Sequence, residues 1–194
     1  MRSFNFLRDV IGSHGQEPEE FSVAEHSERE ARFAQAWLET ASFDWLGILL
    51  NLLAYPPDEF GDPKLTHEQW QLYQADATLL LGRWMKRDHQ VLLQVGPMVV
   101  TDLRLRQFIL EAFWECDDPN SLLYLEPMVS RVAQLPDNEA SALVTAIGEN
   151  TAPNGDLRLL LRKIQDSLTP AQTEAAAEAA LYLQDRRFTD QDEE

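Results

Sequence analysis

Two nine-residue stretches decide how this chain folds: VLLQVGPMV at residues 91–99 and SLLYLEPMV at residues 121–129. Laid over one another at a period of thirty, they agree at five of nine positions: Leu92/Leu122, Leu93/Leu123, Pro97/Pro127, Met98/Met128 and Val99/Val129. The segments that follow repeat at a period of thirty-four. Glu111-Ala112-Phe113-Trp114-Glu115 lies over Thr145-Ala146-Ile147-Gly148-Glu149, and Ala146-Ile147 lies over Ala180-Leu181. Self-similarity at a fixed period of this length marks a chain built from one repeated supersecondary unit. The unit reads as a helix pair with a proline in its first helix. A single pair leaves an apolar face uncovered, and stacking the next pair against it buries that face.

Working outward, apolar residues recur at helical spacing along most of the chain. Ser22 with Glu25 makes a capping box before Ala31, Ala34, Trp37, Leu38 and Ala41. A second helix is predicted over 42–55, apolar nearly all round, and Pro56-Pro57 stops it. Thr66 with Gln69 opens a helix to about Arg87, with Trp70, Tyr73, Ala77, Leu80, Leu81 and Trp84 on one stripe. Helices are then predicted over 88–100, 102–116, 120–135, 137–149, 156–168 and 170–184. Asp118-Pro119 and Thr169-Pro170 each place a capping residue before a proline suited to a first helical position. No stretch alternates as a strand would. The prediction is an all-α chain: an N-terminal peptide and acidic linker (1–21), one helical domain (22–184) and a charged tail (185–194). The domain would be a short α-solenoid of about four stacked antiparallel helix pairs, its N-terminal pairs irregular.

With the pattern laid out, the chain resembles HEAT repeats, in particular the short HEAT-like units of the phycobilisome-lyase type. Leu105-Arg106 followed by Glu111-Ala112-Phe113 looks like that family's second-helix pattern, and Gly148 falls where the family places a terminal glycine. Ala140 stands where the family has arginine, Trp114 replaces the glycine, and residues 156–184 keep only an Ala/Leu skeleton. The resemblance covers 88–184 and implies an architecture rather than one function.

Composition removes several classes of function. Sixteen basic against thirty-three acidic side chains give a formal charge of −17 in 194 residues. Such a field repels phosphate backbones, so nucleic-acid binding is not expected. It favours encounter with a basic protein surface, and it serves solubility equally well. A single cysteine, Cys116, excludes an internal disulfide framework and suits a reducing compartment. No apolar run reaches the roughly 20 residues of a membrane span, and Met1–Gly12 lacks the pattern of a secretory signal. The expected location is the cytoplasm of a bacterial cell.

Catalytic spacing is absent. There is no nucleophile elbow, phosphate loop or dinucleotide fingerprint among eight glycines, and His14, His26, His67 and His89 are scattered. Asp58, Glu59 and Asp62 in the proline loop read as a solvated acidic turn. Cys116 falls in step with Leu105, Phe108, Ile109, Ala112 and Phe113, so it is expected in the core, and the neighbouring carboxylates oppose thiolate formation. No cofactor or metal is expected.

The face of 102–116 opposite that stripe carries Arg104, Gln107, Glu111, Trp114 and Glu115. Thirty-four residues on, the same face includes Asn138, Ser141, Thr145, Gly148 and Glu149; a further thirty-four reaches Tyr182. HEAT-like solenoids line their concave surface with second helices, so the resemblance implies a groove holding Trp114, Gly148 and Tyr182 in a row. Arg104, Gln107, Glu111, Trp114, Glu115, Thr145, Glu149 and Tyr182 are the candidate partner-binding residues. An aromatic anchor among acids suits a basic or Arg-bearing protein. In the other reading, Trp114 packs over the small residues of the next repeat. The expected function is therefore a non-catalytic interaction module: an adaptor, an assembly factor, or an inhibitor of the immunity-protein kind. The resemblance also implies an alternative, a HEAT-like lyase or a carrier of a tetrapyrrole or other small molecule.

Overall fold

A computed structural model of the chain describes residues 43–55 and 67–185, and every regular element among them is a helix. The all-α expectation holds. The helix expected after Ser22, the Thr66 cap, the proline loop and both chain ends lie outside the described residues. The chain divides into two compact units between Leu80 and Leu81.

In the first unit, α1 (Phe43–Ala54) buries Leu46, Leu49, Leu50, Leu52 and Leu53 and leaves Gly47 and Asn51 exposed. The next helix, α2 (His67–Arg87), buries Trp70, Ala77 and Leu80 from the expected stripe. Gln74 Nε2 donates to Leu53 O at 3.1 Å and satisfies a carbonyl at the end of α1.

The second unit takes in the last turns of α2, which bury Leu81, Trp84 and Met85. Its further helices are α3 (His89–Val95), α4 (Met98–Thr101), α5 (Arg106–Cys116), α6 (Leu122–Val129), α7 (Asp137–Gly148), α8 (Asn154–Ser167) and α9 (Thr173–Gln184). Consecutive helices pair: α4 with α5, α6 with α7, α8 with α9. Second helices also pack on second helices, α5 on α7 and α7 on α9, while first helices follow in α4, α6 and α8. Small buried residues on the second helices (Ala112, Ala140, Ala146, Ala175, Ala179) let their axes come close. Ala180, which the thirty-four-residue period aligns with Ala146, is only half buried.

Several helix ends depart from expectation where hydrogen bonds close in the chain hold a turn instead. The single helix expected over 88–100 breaks into α3 and α4 at Gly96-Pro97. Pro97 has no N–H to donate, and the chain beyond it tightens to three-residue bonds, Val99 N to Gly96 O and Val100 N to Pro97 O. Pro127, thirty residues on, instead stays inside α6, followed by a 3₁₀ turn at Val132–Gln134. The helix expected from residue 102 begins only at Arg106, because Asp102 Oδ1 accepts the N–H groups of Arg104 and Leu105 and holds a turn. Asp118 caps as expected, accepting from Asn120 N at 2.8 Å. Thr169-Pro170 does not start a helix. Gln172 Oε1 accepts the Thr169 N–H and hydroxyl, and α9 begins at Thr173.

Candidate functional site

The predicted site residues belong mostly to the layer formed by α5, α7 and α9. On α5, Gln107 Nε2 donates to Glu111 Oε1 at 3.0 Å, one helical turn along. Asn138 of α7 donates to Gln107 Oε1 at 2.8 Å, so one chain of hydrogen bonds links the two helices. Beside it Arg106 donates to Glu139 at 3.4 Å and to Val99 O at 3.0 Å; this ion pair is only 13% and 14% exposed. Across the α7–α9 seam Ser141 Oγ donates to Glu178 Oε2, and Thr145 donates to Ser141 O. Further along, the Tyr182 hydroxyl donates to Glu149 Oε1 at 2.9 Å.

The Tyr182 ring lies on Gly148. A Cβ there would come within 2.5 Å of the ring, so the glycine makes room for the tyrosine. Position 148 is thus covered from α9 by Tyr182, while Trp114, on α5, stands 54% exposed.

The structure brings Gln107 to Glu111, and Tyr182 to Glu149. Glu115 turns instead to Arg83 of α2, Nε to Oε2 at 3.5 Å, and Arg104 sits in the turn before α5 rather than on its face. Sequence reading missed Glu178 and Asp137. Asp137 opens α7, yet its carboxylate accepts the backbone N–H groups of Ala175 and Glu174 at the start of α9. Those two bonds, Ala175 first, hold its carboxyl below the usual value. A local motif signals neither role, because the partners lie 37 and 38 residues away.

Electrostatics within the layer are uneven. Burial pushes the Glu111 carboxyl above the usual 4.5, opposed by the Gln107 hydrogen bond. A carboxyl raised in the folded state holds its proton more tightly there, so its ionisation costs stability as pH rises through the folded value. Glu111→Gln removes that cost and keeps an oxygen for Gln107. Thermal melts should show the variant above wild type at pH 7, the gap closing as pH falls toward 4.5.

Cys116 is in the core as expected. Burial first, and Asp118 second, push its thiol up to about 12, which keeps it protonated and unreactive near neutrality. Among the described residues no three His, Cys, Asp or Glu side chains gather as a metal site, and no helix is long and apolar enough to cross a membrane. A groove of about 440 Å³ opens on other helices, α6 and α8, lined by Leu122, Val129, Leu159 and Leu160 among others. Comparison with protein-family models, with curated proteins and with solved structures finds no match.

Proposed function

We propose that this chain is a non-catalytic protein-interaction module whose helix pairs stack as a HEAT-like solenoid. In this reading it grips a basic protein partner through the face made by α5, α7 and α9. The observation that carries the proposal is Trp114: a large apolar ring more than half exposed on the helix that also carries Glu111. Burying such a ring contributes on the order of 2 kcal/mol, and a cation over its face adds about 1 kcal/mol. Glu149 and Glu178 extend the acceptors along the layer, with Tyr182 as a second aromatic. The chain's formal charge of −17 speeds encounter with a cationic surface. An adaptor, an assembly factor and an immunity-type inhibitor would all use such a face, and the cytoplasm is the proposed location.

The test is an affinity capture from host lysate comparing wild type with Trp114→Ala/Glu111→Lys. Retention of one basic protein by wild type, with at least ten-fold loss by the double variant, is the expected result. Equal retention by both would place the binding face elsewhere. A bound pigment or small molecule with no protein would favour the lyase or carrier reading instead.

A further inference from the structure

The groove between α6 and α8 belongs to a different set of helices and carries a charge pattern of its own. Its α8 wall is Asp156, Leu159, Leu160, Lys163 and Ser167, a spacing that places all five on one stripe of the helix. Its α6 wall includes Leu122, Glu126 and Val129. Leu159 is 54% exposed and Leu123, next to the α6 wall, is 68% exposed. Large apolar side chains standing out beside a concave apolar surface mark a place where something packs.

Three charged groups border this groove, and all are exposed: Glu126, Asp156 and Lys163. Asp156 and Lys163 are two turns apart, about 10 Å along the axis, too far to pair with each other. Among the described residues none of the three has a side-chain hydrogen bond or ion pair. Along α8 the order is acid, leucine, leucine, cation. That order is its own complement. Turned antiparallel about a two-fold axis between Leu159 and Leu160, a second α8 sets its Lys163 beside Asp156 and its Asp156 beside Lys163. Such self-matching is the signature of an isologous contact. A uniformly basic or acidic ligand would leave one of these charges facing its own sign.

We propose that this groove is a self-association surface whose occupant is α8 of a second copy of the chain, packed antiparallel. Leu159 of each copy enters the slot between α6 and α8 of the other. The acidity of the whole chain opposes pairing, and the groove itself carries two acids, Glu126 and Asp156, against one cation, Lys163, so Leu159 and the two Asp156–Lys163 pairs must outweigh that repulsion. At physiological salt, charges beyond about 8 Å of the contact are largely screened.

The test uses two single charge reversals, Asp156→Lys and Lys163→Asp, and light scattering of the full chain at roughly 100 μM, a concentration at which a micromolar dimer is mostly paired. Wild type is expected at twice 22.2 kDa. Each variant alone should run as a monomer, because both of its contacts become like-charge pairs, and its far-UV circular dichroism should match wild type. Mixed in equal amounts, the two variants should recover the dimer mass, since a chain with lysine at both positions then faces a chain with aspartate at both. Leu159→Glu should be monomeric alone and in every mixture. A monomeric wild type would overturn the proposal, as would either charge variant remaining dimeric alone or the mixture staying monomeric.

Discussion

Gln172→Glu should destabilise the fold by about 3 kcal/mol at neutral pH, the cost of breaking a buried and fully engaged polar contact. Gln172 is 3% exposed, and its amide uses both of its ends. Nε2 donates to Val132 O at 2.7 Å and Leu135 O at 2.9 Å, and Oε1 accepts the Thr169 N–H at 2.8 Å and its hydroxyl at 3.0 Å. One side chain therefore ties the α8–α9 turn to the segment between α6 and α7. Glutamate keeps the oxygen that accepts both Thr169 bonds, loses both donated bonds and sets a negative charge against two carbonyl oxygens. Chemical denaturation of the two proteins gives the difference directly. The deficit has a pH signature that separates it from a packing defect. A buried carboxyl without a cation holds its proton above the ordinary value, so the loss shrinks as pH falls through that raised value and one donor returns. Gln172→Leu orphans the same backbone groups and should show a deficit of similar size that does not shrink with acid. Equal pH dependence of the two variants would refute the donor argument.

Gly82→Ala is the second effect, a net loss of about 1 kcal/mol. An added Cβ would sit 2.4 Å from Ala112 O and 2.5 Å from Glu115 Cβ. Neither neighbour is the end of a flexible side chain; one is backbone and the other is fixed to it. The helices α2 and α5 would have to part by about 1 Å, loosening contacts around Met85, Ala112 and Cys116, all buried. Overpacking of this kind costs about 1–3 kcal/mol, against which alanine returns about 1 kcal/mol of helix propensity. Steric cost wins. Gly47→Ala is the matching control: it is exposed on α1, and its Cβ would meet nothing within 4 Å. There the propensity term acts alone, and denaturation should show a gain of about 0.5–1 kcal/mol. Opposite signs for one substitution at two helical glycines would show that close approach, not helix content, sets the loss at Gly82.

Some neighbours in this layer follow from spacing along the chain. Glu111 lies one turn from Gln107, and the thirty-four-residue period aligns Gly148 with Tyr182; these pairs do meet. The period also lines up Trp114 with Gly148, but the ring that covers Gly148 is Tyr182 of α9. Glu115, expected among the partner-binding residues, pairs with Arg83. Self-similarity tells which positions are equivalent. It does not tell whether an equivalent position packs forward, packs backward or faces water.

Sequence by itself determined that the chain is helical, which stripes are buried and where most helices end. Those properties depend on neighbours three or four residues away, on caps such as Asp118 and on prolines, all readable in order along the chain. Tertiary structure alone decided the rest. Asp137 caps a helix other than its own, Gln172 overrules the start signal at Thr169-Pro170, and Gly82 exists to admit α5. Each of these depends on a partner roughly thirty or more residues away, or on how tightly two helices can close. Local periodicity is silent about such distances, because the free energy that selects them comes from packing between elements and not from propensity within one.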